Sequence, residues 1–210
     1  MKKLIAVAVL FVFAFVLSSC GGGAALKNAP KIAILETMPA GVSTPKWAQN
    51  TQDFWEEKGN YFYKGMSEGM ANVQASRRAA QAAAFTALAE QVKVTVRNEF
   101  SNALESGSYN STAGGYLKDV FFSVVDNLTI SGAVVAESYS QRVSESSETE
   151  NKLYWRSFVL SKISAEDYKK LVQSAFDKTS KQASANESAK ELAKKVEDRF
   201  FEVQNAKEQQ

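Results

Sequence analysis

Residues 71–104, ANVQASRRAAQAAAFTALAEQVKVTVRNEFSNAL, run without a glycine or a proline. Phe85, Leu88, Ala89, Val92, Val96 and Phe100 recur at steps of three and four, the period of a helix with one buried stripe. Val92, Val94 and Val96 also alternate as a strand would. A helix started in the alanine-rich turns upstream nevertheless propagates through them at little cost. One long helix is therefore expected. Ala79, Ala80, Ala82, Ala83, Ala84, Ala87 and Ala89 favour helix and carry little bulk, so a sheet or another helix can come close to it.

On the N-terminal side, NYFYKGMSEG (60–69) has the β-propensity of a first strand and closes on Gly65 and Gly69. On the C-terminal side, ESGSYNSTAGG (105–115) reads as a polar loop, and the following Leu117, Val120, Phe121, Val124, Val125 and Leu128 as a second helix. AVVAESYSQRV and KLYWRSFVLSKI, separated by the polar SESSETEN, read as an antiparallel hairpin. Alternation puts Leu153, Trp155, Ser157, Val159 and Ser161 on one face of its second strand and Tyr154, Arg156, Phe158, Leu160 and Lys162 on the other. One face is expected to cover the core and the other to meet a helix or a neighbouring subunit. Ser164, followed by Glu166 and Asp167, caps a further helix with Tyr168, Leu171, Val172 and Phe176 inward. DKTSKQASANES (177–188) is polar enough for a linker, although a continuous helix through it is also open. The tail carries Ala189, Leu192, Val196, Phe200 and Val203 on one amphipathic stripe, either packed on its own domain or offered to a partner.

The first residues speak to location. Lys2 and Lys3 precede an uncharged apolar run from Leu4 to Leu17, which is shorter than the ~20 residues that cross a bilayer comfortably. It ends in Leu17-Ser18-Ser19-Cys20, and Cys20 is the only cysteine in the chain. That stretch resembles the lipobox of bacterial lipoproteins, in which the thiol is acylated and becomes the new N-terminus. Residues 1–19 are then a signal peptide, and residues 20–46 the lipidated cysteine and a flexible tether led by Gly21 to Gly23. In KIAILETMPAGVSTPKW (31–47) Ile32, Ile34 and Leu35 offer a short strand, but Pro39, Gly41 and Pro45 break any longer element, so the segment reads as an extended lead-in. Residues 47–178 form the domain and residues 179–210 an amphipathic C-terminal helix.

Composition narrows the function classes. The full chain has 25 basic and 23 acidic residues, and loss of Lys2 and Lys3 with the signal peptide balances the charges, so no electrostatic footprint for nucleic acid is expected. There is no histidine. With Cys20 acylated, that removes the usual zinc ligands, histidine bases and thiolate nucleophiles, and the sequence offers neither a phosphate-binding glycine loop nor an S-x-x-K motif in a convincing helix start. No catalytic residue, cofactor or metal is expected. Candidate contacts remain: the aromatic group Trp47, Trp55, Tyr61 and Tyr63, which is core or else lines the cavity of a small-molecule or lipid carrier; the basic pair Arg77 and Arg78, suited to a partner carboxylate or a lipid headgroup; and Trp155 in the hairpin.

Taken together, the lipobox, the Pro45-Lys46-Trp47 entry, the aromatic strand Tyr61 to Gly69, the alanine-rich helix with its valine-rich end (Arg78 to Val96), the late aromatic strand Leu153 to Leu160 and the short helix after it resemble the LPP-twenty lipoproteins. That family includes the flagellar lipoprotein FlgP and is similar to the N-terminal domain of FlgT. The likeness covers roughly Trp47 to Phe176. It implies an α+β domain of the dodecin or SHS-two kind, a long helix on a small curved antiparallel sheet, often oligomeric. It also implies an outer-membrane lipoprotein without catalysis that binds copies of itself or other proteins in envelope or flagellar-disk assembly. The loop 105–115 and the charged C-terminal helix depart from that pattern.

Overall fold

The computed structural model describes residues 30–208 apart from 110 and 148. The chain is α+β. Five strands, β1 (Lys31–Met38), β2 (Phe54–Glu57), β3 (Asn60–Met70), β4 (Val134–Ser146) and β5 (Asn151–Ile163), form one sheet in the order β1-β4-β5-β3-β2 with every pair antiparallel. Five helices accompany it: α1 (Lys46–Gln49), α2 (Val73–Ser106), α3 (Thr112–Asp126), α4 (Ala165–Gln182) and α5 (Glu187–Glu208).

The long helix is α2, and its buried residues follow the four-residue step, Ser76, Ala80, Ala84, Leu88, Val92, Val96 and Phe100. Phe85 and Ala89, expected on that stripe, are only half-buried. The stripe changes character along its length. Its first half is small and rests on the sheet, where Ala80 and Ala84 pack with Val159. A Cβ added at Gly65 of β3 would lie 2.3 Å from the Ala80 carbonyl oxygen and 2.5 Å from the Ala84 amide nitrogen, so helix and strand touch backbone to backbone. Serines fill the seam, because they are small and can bond there. Ser67 Oγ lies 2.9 Å from Ser76 Oγ, Ser140 Oγ 2.9 Å from Ser157 Oγ, and Ser161 Oγ donates to the carbonyls of Tyr63 (3.1 Å) and Ala84 (3.2 Å). No buried hydroxyl of this seam is left without a partner, as burial requires.

At ~1.5 Å per residue the 34-residue α2 outruns the sheet, and its second half turns large because it enters a helical core. Leu88, Val92, Val96 and Phe100 pack with Leu117, Phe121 and Val125 of α3, Tyr168, Val172 and Phe176 of α4, and Leu192, Val196 and Phe200 of α5. Phe100 stacks on Phe121 with ring centroids 3.9 Å apart, and Phe176 closes on Phe121 at 4.9 Å and on Phe200 at 5.6 Å. Asn72, Ser111 and Ser164 cap α2, α3 and α4 by accepting from Ala75, Gly114 and Asp167 amides.

Several expected boundaries move. Within the lead-in up to residue 46, the short strand offered by Ile32, Ile34 and Leu35 is present and longer than expected: Lys31–Met38 form β1 and pair with β4 from Lys31↔Ser146 to Met38↔Ser140, so this part is no flexible tether. The polar loop shrinks, because α2 continues to Ser106 and α3 starts at Thr112, so Gly114 and Gly115 fall in its first turn. The linker at 177–188 is a continuation of α4 to Gln182 and a 3-10 turn, Ala183–Ala185. The boundary at 178/179 thus cuts a helix, and Thr179 is fully buried. The C-terminal helix is not a free partner helix: Ala189, Leu192, Val196 and Phe200 are buried in its own domain. The signal peptide and Cys20 lie outside the described residues.

Gly65→Ala should lower stability by about 3 kcal/mol, at the upper end for overpacking, because the methyl group meets backbone that cannot rotate away. Gly115→Ala, where an added Cβ meets nothing within 4 Å, should instead raise it by about 0.5–1 kcal/mol. Urea unfolding of both variants checks the contrast. Equal stabilities would mean that α2 does not sit this close to β3.

Candidate functional site

The strand alternation that builds the sheet also separates the aromatic residues singled out in the sequence. On the helix side, Tyr61 is 1 % exposed, stacks on Phe54 at 6.0 Å and meets Tyr168 at 4.5 Å. Tyr63 is half-buried on that side, and Trp155 is buried, its carbonyl accepting from Ser76 Oγ at 3.4 Å near the start of α2. On the outer side, Trp55 stacks on Phe62 at 5.5 Å. Trp47 lies on α1, which covers Tyr139 and Phe158, and its Nε1 donates to Glu137 Oε2 at 2.5 Å. Both faces of the hairpin are therefore covered, one by α2 and the other in part by α1. Arg77 Nε donates to Ser140 Oγ at 3.1 Å, tying α2 to β4, whereas Arg78 is exposed.

No cavity gathers these aromatics among the described residues. The space lined by Tyr61, Tyr168, Val172 and Phe200 holds ≈ 20 Å³, about enough for one water and far from the several hundred Å³ of a ligand pocket. The roomier features are open grooves. One of ≈ 300 Å³ follows the outer edge of β3, lined by Asp53, Tyr63, Lys64, Gly65, Met66, Ala83 and Ala87. Another, ≈ 440 Å³, lies on the outer face beside Ile32, Glu68, Tyr154 and Arg156.

That second groove holds a polar network that the sequence did not announce. Arg156 Nε donates to Glu68 Oε1 at 2.9 Å and its Nη2 pairs with the same oxygen. The Tyr154 hydroxyl lies 2.8 Å from Glu68 Oε1 and 3.1 Å from Glu145 Oε2. Burial acts to raise the Glu68 pKa, but the Arg156 guanidinium and the Tyr154 hydroxyl outweigh it and hold the carboxyl below its usual value. Burial, and then the Glu68 and Glu145 carboxylates, push Tyr154 up to about 12. On the helix side, burial and the Glu99 carboxylate that accepts the Tyr168 hydroxyl raise Tyr168 still further. Near neutral pH Glu68 stays ionised and both phenols stay protonated, so none of these groups is poised for proton transfer. Among the described residues no group of three or more His, Cys, Asp or Glu side chains is placed to hold a metal ion, and no helix is long and apolar enough to cross a membrane.

Glu68 is far from Tyr154 and Arg156 in sequence, and only the β3–β5 register, which sets Met66 opposite Phe158 and Ser67 opposite Ser157, brings them together. The alternation of β5 places Tyr154 and Arg156 on one face, but nothing local identifies their carboxylate. Comparison of the chain with protein-family models, curated proteins and solved structures yields no match.

The two raised tyrosines fix a pH dependence. In the unfolded chain both ionise near 10, while in the native protein Tyr154 waits until about 12 and Tyr168 longer. Their stabilising contribution is complete below pH ~10 and is lost as the pH climbs toward 12, because only the unfolded state gives up those protons. Denaturant melts between pH 9 and 12 should show this decline, shallower in Tyr154→Phe and Tyr168→Phe. Ionisation of all 7 tyrosines as one set near pH 10 in the folded protein would contradict the assignment.

Proposed function

We propose that this protein is a bacterial lipoprotein held at the outer membrane by acyl chains on Cys20, and that its domain works as a structural or assembly module by binding copies of itself or other envelope proteins. The observation that carries the reading is Leu17-Ser18-Ser19-Cys20 at the end of the apolar run, with Lys2 and Lys3 before it. Two or three chains, at about 0.8 kcal/mol per buried methylene, hold a protein at a bilayer durably. β1 begins at Lys31, so the lead between lipid and sheet is short, reaching at most about 40 Å when extended. The domain therefore works close to the membrane surface.

A non-catalytic role is supported by the lack of histidine and by ionisable groups fixed in one state at neutral pH. The carrier reading loses its support with the separation of Trp47, Trp55, Tyr61 and Tyr63 onto two faces of the sheet. The resemblance to LPP-twenty lipoproteins favours envelope assembly, with a flagellar structure as one setting.

Fractionation of cells expressing the wild-type chain and Cys20→Ser tests the anchor. The wild type should sediment with membranes and leave them only in detergent, whereas Cys20→Ser should become soluble. Equal retention of the variant would refute the reading. Light scattering on the detergent-extracted wild type should give a mass above that of one chain; a monomer that also recovers no envelope partner would refute the assembly role.

A further inference from the structure

The sheet has two open edges, and each is shaped to accept the other. β1 borders the sheet along its whole length with only β4 beside it, and its side chains are exposed from Lys31 to Glu36, including Ile32 and Ile34 on the outer face. At the opposite side β2 covers β3 only from Asn60 to Tyr63. There the Lys64 amide is met by the Asp53 carbonyl at 2.7 Å. Strand alternation turns the N–H and C=O of Met66 and Glu68 the same way, past the end of β2, where no strand lies beside them among the described residues. Such rows of open backbone groups are templates for another strand. The flank of α2 over this edge is alanine, and Ala83 and Ala87 wall the ≈ 300 Å³ groove that runs along it.

Resting on the self-association reading above, we propose that β1 of one copy adds antiparallel to the Gly65–Glu68 stretch of β3 in the next copy, with Ile34 against Met66. Three features select this occupant. The order β1-β4-β5-β3 with all pairs antiparallel makes β1 and β3 run oppositely, so the addition continues the sheet with the helices of both copies on the same side. Facing then matches. Ile34 and Met66 both point outward and are each 51 % exposed in one copy, and Ile32 lies opposite Glu68. On the inner face Ala33 meets Ser67 and Glu36, which faces Arg142 in its own sheet, meets Gly65, so no like charges oppose one another and Ala33, Ser67 and Gly65 leave little bulk beneath the alanines of α2. Finally, a single contact covers both open edges, which pairing β1 with β1 does not. Because the two surfaces differ, the contact is head-to-tail and propagates into a ring or a filament.

The test uses the full chain in membranes, with Ile34→Cys and Met66→Cys singly and together and a short thiol-to-thiol crosslinker. The double variant should give a ladder of dimers, trimers and higher multiples, and neither single variant should; Cys20 is common to all three and serves as the internal control. Ile34→Cys crosslinking by itself would mean β1–β1 pairing and overturn the proposal, as would a crosslink to a different protein. Met66→Lys, at a side chain already half exposed, should leave the melting curve unchanged and weaken association at least tenfold by light scattering. Oligomers that form without the ladder and ignore Met66→Lys would overturn this interface and leave self-association standing, whereas a monomeric wild type would overturn both.

Discussion

A methyl group at Gly65 would lie 2.3 Å from the Ala80 carbonyl oxygen, and much of the architecture follows from that closeness. A helix can settle backbone to backbone on a sheet only where both surfaces are stripped of bulk, which here means Ser76, Ala80 and Ala84 above and Gly65, Ser67, Ser157 and Ser161 below. The seam gains dispersion contacts and short hydroxyl bonds instead of large buried side chains. Its close fit fixes the position of α2 on the sheet, and the helix then carries Leu88 to Phe100 out to where three more helices gather around them. The sheet and the helical core are two ends of one rod.

The rod was legible in the sequence because it is long, periodic and free of breakers, and the hairpin because alternation and a polar turn are both local signals. The cap at Ser164 was legible for the same reason. β1 was legible only in part: Ile32, Ile34 and Leu35 offered a short strand, but it is exposed over most of its length and its partner β4 lies about a hundred residues on, so nothing nearby in the sequence marks it as paired or sets its length. β2 is only four residues long and is defined by its pairing with β3. The stripe of α5 announced a helix with one apolar face without saying what that face covers. Tertiary packing decided it, against Phe176 and the second half of α2.

Candidate contacts were less legible than the fold. Tyr61, Phe62 and Tyr63 are consecutive in a strand and must point to opposite faces, so a single aromatic box was already in conflict with the strand that contained it. Arg77 turned inward to Ser140, a contact set by where α2 crosses β4. The network of Glu68, Glu145, Tyr154 and Arg156 depends on the β3–β5 and β4–β5 registers, and no local pattern encodes those. What the geometry leaves open among the described residues is edge and groove.

Acylation of Cys20, proposed above as what holds this domain at a bilayer, can be tested by weighing the chain itself. Intact-mass spectrometry of the protein extracted from envelopes should find a polypeptide that begins at Cys20 and is heavier than its sequence by a diacylglyceryl group, with or without a further acyl chain. A chain that retains Met1, or one whose Cys20 is a free thiol, would contradict the account at its root.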